Sequence, residues 1–379
     1  MTSPQPTSTR RLTAMQLLPA LESGGVERST LEIADALVRA GHRAIVVSAG
    51  GRLVPRLLRL GAEHIELPIG RKSPSTLLHA FKLRRWMTEL GVDVLHLRSR
   101  LPAWVGLLAW RGLPEHARPA LVSTVHGLNS PSRYSQVMTR GERVICVSDT
   151  VRDYVLQHYP DTDPAKLRVV PRGIDPAAFP HAPWPDREAR AWAAGEHPQL
   201  HGDGPLLLLP GRGTRLKGHA DGLQLLADLR AGGRDARLWL PGAREPGRED
   251  YIEEMRGLAQ QLGIADAVAF TAPTDAIARA YAASDLVLQL SRKPEAFGRT
   301  VVEALSCGRP VLGWNHGGVG ELLTRLQARG AVAPFDPQAL CERACELLTH
   351  APAPVDTMAF SLRAMQEATL AVYAELVDA

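Results

Sequence analysis

Residues 12–47 read LTAMQLLPALESGGVERSTLEIADALVRAGHRAIVV, and their pattern decides the fold. Leu12–Leu18 is an apolar run short enough for a buried strand. It enters the turn Glu22-Ser-Gly-Gly25. Val26, Thr30, Ile33, Ala34 and Leu37 then recur at a 3.6-residue rhythm, which predicts a helix with one buried face. Gly41 stands where a left-handed helix terminus belongs, and Ala44–Val47 begins a second strand. The segment is a strand–helix–strand unit that opens on a pair of glycines.

The alternation continues on both sides of the chain's middle. Val92–Leu97, Ala120–Thr124, Val144–Val147 and Arg168–Val170 read as strands with helical stretches between them. Between residues 176 and 205, Pro176, Pro180, Pro183 and Pro185 crowd together and a Gly-rich segment ends at Pro205, which marks a linker. The pattern restarts with Leu206–Leu209, Arg237–Leu240, Val268–Phe270, Leu286–Leu290 and Val311–Gly313. Met358–Leu376 is a final amphipathic helix. Strands alternating with helices mean parallel sheets covered on both faces. The expected architecture is α/β with two Rossmann-like domains, bounded at 1–182 and 183–355, and a C-terminal segment 356–379 packing back on the first.

Length and composition agree. At 379 residues the chain suits two domains of ordinary size, and 45% hydrophobic with 22% charged residues excludes a disordered or fibrous chain. No apolar stretch approaches the roughly 20 residues of a membrane span. Met1–Arg11 is rich in Pro, Ser and Thr and lacks the apolar core of a signal peptide, so a loose tail is expected there. Four cysteines with no C-x-x-C pair argue for buried reduced thiols, Cys341 and Cys345 among them, and for a cytoplasmic location.

Charge is unevenly placed. Residues 1–185 hold 24 Lys and Arg against 15 Asp and Glu, whereas the remainder holds 20 against 25. A basic half attracts phosphates, on anionic lipid or on substrates. Against this, only five of the 44 basic residues are lysine, so Arg-rich codon usage is a plain alternative. Few aromatics interleave with the cations, so nucleic acid is not an expected partner.

Three glycine-containing segments follow strands, where ligands of open α/β sheets bind. Gly24-Gly25 opens a helix whose amides and positive end favour an anion, although a plain turn would use the same pair. Gly211-Arg212-Gly-Thr-Arg-Leu-Lys217-Gly218 is not a P-loop, because Leu216 occupies the second glycine position and no Ser or Thr follows Lys217. An Arg and a Lys at this spacing nonetheless suit a diphosphate, one as a bidentate fork and the other as a point charge. In Glu295-Ala-Phe297-Gly298-Arg299-Thr300-Val-Val-Glu303, Gly298 can begin a helix with its first amides facing a phosphate. Glu295 and Glu303 then serve sugar hydroxyls, since both could not approach phosphates without repulsion. Asp161-Thr-Asp163 lies in a Pro-flanked loop and reads as a surface turn, not a metal site.

Glu295 and Glu303, separated by seven residues with Phe-Gly after the first, resemble the signature of glycosyltransferase family four, whose members are retaining enzymes of the GT-B fold. Gly24-Gly25-Val-Glu-Arg, Ser123-Thr-Val-His126-Gly127, Pro171-Arg-Gly-Ile-Asp175 and Gly317-Gly318-Val-Gly-Glu321 are similar to further family segments, with Arg172 replacing the usual Asn. The resemblance implies two domains facing across a cleft. It implies that Arg212 and Lys217 neutralise a leaving diphosphate, Glu303 holds the ribose, and Glu295 and His126 flank the donor sugar. No metal and no cofactor beyond a nucleotide-sugar co-substrate is implied. The implied acceptor is a cell-envelope glycan such as lipopolysaccharide core, or a lipid-linked glycan, reached from the cytoplasmic face of an anionic inner membrane. A GT-B nucleotide-sugar epimerase or phosphorylase is a second reading. A non-catalytic nucleotide-binding interaction protein is a third, and retention of Arg212, Lys217, Glu295 and Glu303 argues against it.

Overall fold

The computed structural model describes residues 10–22, 24–350, 353 and 355–378. Most of the expected N-terminal tail, and Ser23 of the first glycine turn, lie outside the described residues. The chain divides into two compact units: one runs through Pro171 and resumes at Leu362, and the other is Arg172–Ser361.

In the first unit the strands are β1 (Thr13–Leu17), β2 (Arg43–Ser48), β3 (Glu63–Glu66), β4 (Val94–Leu97), β5 (Ala120–Val125), β6 (Arg143–Cys146) and β7 (Leu167–Val169). They form one parallel sheet in the order β3-β2-β1-β4-β5-β6-β7. The helices are α1 (Gly25–Arg39), α2 (Val54–Arg59), α3 (His79–Glu89), α4 (Arg100–Arg111) and α5 (Asp149–His158). Glycine is needed at the end of α1, where Gly41 takes φ 81°. The sequence pattern missed β3 because this edge strand, Glu-His-Ile-Glu, buries no residue fully.

The second unit repeats the plan. Its strands β8 (Leu206–Leu208), β9 (Arg237–Pro241), β10 (Val268–Thr271), β11 (Leu286–Gln289), β12 (Val311–Trp314) and β13 (Ala331–Val332) pair in parallel in the order β10-β9-β8-β11-β12-β13. Its helices are α6 (Arg187–Glu196), α7 (His219–Ala231), α8 (Glu249–Gln261), α9 (Ile277–Ala283), α10 (Arg299–Ser306), α11 (Gly317–Leu326) and α12 (Pro337–Leu347). Strand β13, only two residues long, is too short to carry a periodic signal.

The Pro-rich stretch differs from the linker expected there. The division falls at Pro171/Arg172 rather than at 182/183, and residues 176–205 are built into the second unit. Arg309, fully buried, donates to the carbonyls of Ala182 at 3.3 Å and Ala282 at 2.8 Å. Arg190 on α6 pairs with Asp285 at 3.1 Å. The buried Arg309 guanidinium claims a carbonyl of this stretch and α6 within it is tied to Asp285, so the segment has fixed partners.

The last helix also starts later than expected. Met358–Phe360 forms one 3₁₀ turn, Ser361 makes a bridge with Ile174, and α13 spans Leu362–Val377. Met365, Val372 and Tyr373 of α13 join the first unit's core with Ala14, Ile33, Val46 and Val122. Tyr373 hydroxyl lies 2.6 Å from His96 Nδ1, and His96 Nε2 lies 2.6 Å from Thr124 Oγ1. Glu375 is held between Arg143 and Arg168, which depress its carboxyl to about 2. The thiols of Cys146 and Cys307 are buried, whereas Cys341 and Cys345 on α12 are only partly covered, packing against the second unit's core from its margin. Among the described residues no helix is long and apolar enough to cross a membrane.

The buried Tyr373–His96–Thr124 chain makes α13 part of the first unit's framework. Tyr373→Phe keeps the ring and removes the hydroxyl partner of His96, and a lost buried partner costs about 1–3 kcal/mol. The denaturant midpoint should fall accordingly, with circular dichroism unchanged. A midpoint equal to that of the wild type would show that the bond carries no stability.

Candidate active site

Strand order fixes where each unit can bind. In the second sheet the chain builds outward on one side from β8 to β10 and returns to the other side at β11, so the β8/β11 boundary is the topological switch point. The loop after β8 carries Gly211, Arg212 and Lys217. The loop after β11 carries Ser291 and Glu295 and leads into α10.

Close backbone approach locks these loops together. Gly218 has φ 72°, and a Cβ on it would stand 2.0 Å from the Leu290 carbonyl oxygen, so no other residue fits. Arg292 N–H donates to the Leu216 carbonyl at 2.9 Å. Lys217 is thereby brought beside a residue 78 positions away: its Nζ lies 2.5 Å from Glu295 Oε1, with side chains 29% and 24% exposed. Ser291 Oγ lies 2.6 Å from the same carboxylate oxygen and 3.0 Å from Gln289 Oε1. His316 Nε2–H donates to the Ser291 carbonyl at 2.8 Å, which fixes the ring tautomer. Arg212 is exposed on the same glycine loop, and no ion pair to it occurs among the described residues.

The late glycine segment supports this loop from beneath. A Cβ on Gly318 would lie 2.5 Å from Phe297 Cα, and Gly318 N–H donates to the Glu295 carbonyl at 2.7 Å. Gly298, at φ 101°, precedes α10 and touches Val319. Phe297 is buried, its ring 6.0 Å from that of Phe360, so its side chain packs the loop instead of facing solvent. Arg299 and Thr300 form the first turn of α10, whose leading amides have no intrahelical acceptor. Glu303, one turn further, is 8% exposed and accepts from Tyr281 hydroxyl at 2.9 Å. Burial and the adjacent carboxylate push the Tyr281 hydroxyl well up, so it stays a donor. Glu303 Oε1 faces Arg299 Nε at 3.6 Å.

The first unit holds a separate cavity of about 410 Å³. It lies at the corresponding switch point, between the carboxyl ends of β1 and β4, with β5 adjoining. Lys72, Arg98, Arg100, His126, Tyr134 and Tyr154 are among the lining residues, and no lining residue is a carboxylate. Arg98 is fully buried. Its Nη1 donates to Gln16 Oε1 at 3.0 Å and its Nη2 to Ser29 Oγ, and burial lowers its pKa to about 10, which leaves it charged near neutrality. Thr124, two residues before His126, also lines the cavity and is the residue anchored by His96.

Gly25 starts α1 beside this cavity, and a Cβ on it would meet nothing within 4 Å. A Cβ on Gly24 would meet only the flexible end of Glu27, and the φ of Gly24 is −137°. Neither glycine is required by packing or dihedral strain.

The structure therefore brings Lys217 and Glu295 into contact, with Arg212, Arg299, Thr300 and Glu303 in the same unit, and sets His126, Gly24 and Gly25 in the other. Ser291, His316, Tyr281 and Arg98 were not singled out in the sequence. Only the Ser291 spacing, four residues before Glu295, offered a local cue. Asp163 accepts from Ala165 N–H at 2.9 Å and caps a 3₁₀ turn. Among the described residues no cluster of three potential metal ligands occurs.

The family model described as Glycosyltransferase Family 4 matches residues 23–178, and that described as Glycosyl transferases group 1 matches residues 195–357. A D-inositol 3-phosphate glycosyltransferase of Acidothermus cellulolyticus is 31% identical over 259 residues, which cover 62% of this chain and 54% of that protein. The crystal structure of a glycosyltransferase from Rickettsia africae superposes with a TM-score of 0.84 at 28% identity, covering 97% of this chain and 99% of that one. Anabaena HepE in complex with UDP-glucose superposes with a TM-score of 0.76 at 21% identity, covering 97% and 100%. With parallel sheets of seven and six strands and these neighbours, the fold is of the GT-B class. Two consecutive family models, Glycosyltransferase Family 4 and Glycosyl transferases group 1, thus match most of the chain.

Proposed function

We propose that the protein is a retaining, metal-independent glycosyltransferase that moves a sugar from a nucleoside-diphosphate sugar to a hydroxyl of a cell-envelope glycan or lipid-linked acceptor. The observation that carries this reading is the Lys217–Glu295 pair at the β8/β11 switch point. A cation for a phosphate and a carboxylate for a hydroxyl stand side by side, partly shielded from water, and each neutralises the other while the site is empty.

In this reading the diphosphate draws Lys217 and Arg212 to its oxygens and meets the first amides of α10 at Arg299 and Thr300. Glu295, still beside Ser291, is released to accept from the sugar's hydroxyls. Glu303, held by Tyr281 and Arg299, is the carboxylate assigned to the ribose hydroxyls. The bond between the anomeric carbon and the diphosphate oxygen breaks, the acceptor oxygen bonds to that carbon on the same face, and the acceptor proton passes to the departing diphosphate. The two cations stabilise the negative charge that develops on the leaving group, a role for which fixed charges in a desolvated site are effective. Positive charge on the sugar is met by Glu295. The arrangement supplies these charges from side chains, so no metal is required.

The cationic first-unit cavity supports an acceptor bearing phosphate or another anionic group, and the name of the Acidothermus relative also includes a phosphorylated compound, D-inositol 3-phosphate. Such acceptors in envelope synthesis are reached from the cytoplasmic face of the membrane, where we place the protein as a peripheral component. The bound UDP-glucose named for Anabaena HepE supports a nucleotide-sugar donor. The deciding experiment incubates donor with and without a phosphorylated glycan acceptor and identifies the products. Transfer with retained anomeric configuration supports the proposal. Donor turnover giving only an epimerised nucleotide-sugar would favour the epimerase instead, and binding without turnover the interaction protein.

Three expected outcomes follow from this reading. Lys217→Ala removes a charge-assisted contact of about 1.5–3 kcal/mol, so nucleoside-diphosphate affinity in calorimetry should fall about ten- to a hundredfold. In steady-state kinetics, Glu295→Gln and His126→Ala should lower mainly turnover, whereas Glu303→Gln should raise mainly the donor KM. Chelator should leave the rate nearly unchanged. Loss of activity with chelator would overturn the metal-free mechanism, and a pure KM effect of Glu295→Gln would exchange the two carboxylate roles.

A further inference from the structure

From the face formed by residues 74–89 we infer a membrane-docking surface that seats on anionic phospholipid and lies next to the acceptor cavity. The inference deepens the proposed function and rests on its reading of a membrane-linked acceptor. Pro74–Leu78 forms a 3₁₀ turn that runs directly into α3. Leu83 and Met87 point into the core. On the opposite face Leu78, Phe81, Lys82 and Arg85 recur at i, i+3, i+4 and i+7, so they share one side. Leu78 and Phe81 are each 64% exposed, and Leu77 beside them is 40% exposed. Two large apolar side chains are thus held in water on a helix that has already buried its other face.

The charges around them select the occupant. Residues 71–89 contain Arg71, Lys72, Lys82, Arg84 and Arg85 against the single acid Glu89. Glu89 is itself paired with Arg85 at 3.2 Å. Arg84 lies over the Phe81 ring at 5.4 Å and holds the Gly112 carbonyl at 3.4 Å, so it braces the aromatic residue, while Lys82 and Arg85 stay exposed. Apolar residues flanked by long cationic side chains match an interface in which hydrocarbon lies beneath phosphate headgroups. A second copy of this chain placed on the same face would oppose five cations with five cations. The loop feeding the helix is also shared with the cavity: Gly70 and Lys72 line it, and Ser73 leads straight into the 3₁₀ turn. A lipid-anchored acceptor held at this surface would therefore have its polar group next to Lys72.

The test is sedimentation of the full chain with phosphatidylcholine vesicles, with and without phosphatidylglycerol, at low and high salt. The wild type should bind only the anionic vesicles and dissociate in high salt. Lys82→Gln with Arg85→Gln should weaken binding about ten- to thirtyfold, and Phe81→Ser about tenfold. All variants should keep wild-type nucleoside-diphosphate affinity, because these residues lie outside the proposed donor site. Binding to anionic vesicles that none of the substitutions weakens would overturn the surface assignment, as would absence of binding at low salt. Self-association abolished by Phe81→Ser without vesicle binding would overturn it in favour of a second copy. Loss of vesicle binding with transfer to a soluble acceptor intact would leave the glycosyltransferase reading standing. Vesicle binding without any transfer would do the reverse.

Discussion

Lys217 and Glu295 can meet at 2.5 Å because Gly218 lets its own backbone stand against the Leu290 carbonyl. That approach draws the loop after β8 onto the end of β11 and fixes the geometry of both. Glu295 then depends on Ser291, on the Gly318 amide below its carbonyl, and on His316 holding the Ser291 carbonyl. Three glycine-bearing segments, far apart in sequence, thus converge on one carboxylate. An ion pair of this kind is not a large source of stability, since desolvation offsets much of the attraction. In the proposed function its physical value is preorganisation. Both charges are already placed and partly desolvated, and a ligand bearing phosphates and hydroxyls can exchange them partner for partner.

The first unit uses the same sheet plan with the opposite electrostatic economy. Its cavity gathers cations with no lining carboxylate, and its most deeply buried cation, Arg98, is tied down by neutral groups, Gln16 and Ser29. A guanidinium kept charged there, with Glu32 as the carboxylate that acts on it, places a buried positive charge at the end of β4. The helix that closes the chain, α13, anchors the neighbouring strand through Tyr373, His96 and Thr124, so residues near the C-terminus help set the wall on which His126 sits.

Much of this was legible in the sequence because the signals were local. Apolar runs such as Leu206–Leu209 and Leu286–Leu290 are short, continuous and bounded by glycine or polar loops, as strands buried on both faces must be. β3 escaped notice because an edge strand with Glu at both ends has no such run, and the break at Ser361 because it rests on a bridge to Ile174. Clustered prolines suggested a linker, yet the partners that fix that stretch, Asp285 and Arg309, lie 95 and 127 residues on from the groups they hold. Arg212, Lys217, Glu295 and Glu303 were singled out from spacing and glycine context, and all four lie in the second unit. The pairing of Lys217 with Glu295 was not legible, because it is set by a contact between two loops. Charge counting gave the basic first half correctly but could not separate Arg98, buried in a cavity wall, from Arg85, exposed on a helix face.

The most direct measurement is a crystal structure of the wild-type chain with a nucleoside-diphosphate sugar bound. The account predicts that Lys217 Nζ leaves Glu295 for a phosphate oxygen, that Glu295 accepts from a sugar hydroxyl while keeping Ser291, and that Glu303 accepts from the ribose. A complex in which the Lys217–Glu295 pair remains closed, with the diphosphate bound elsewhere, would contradict it.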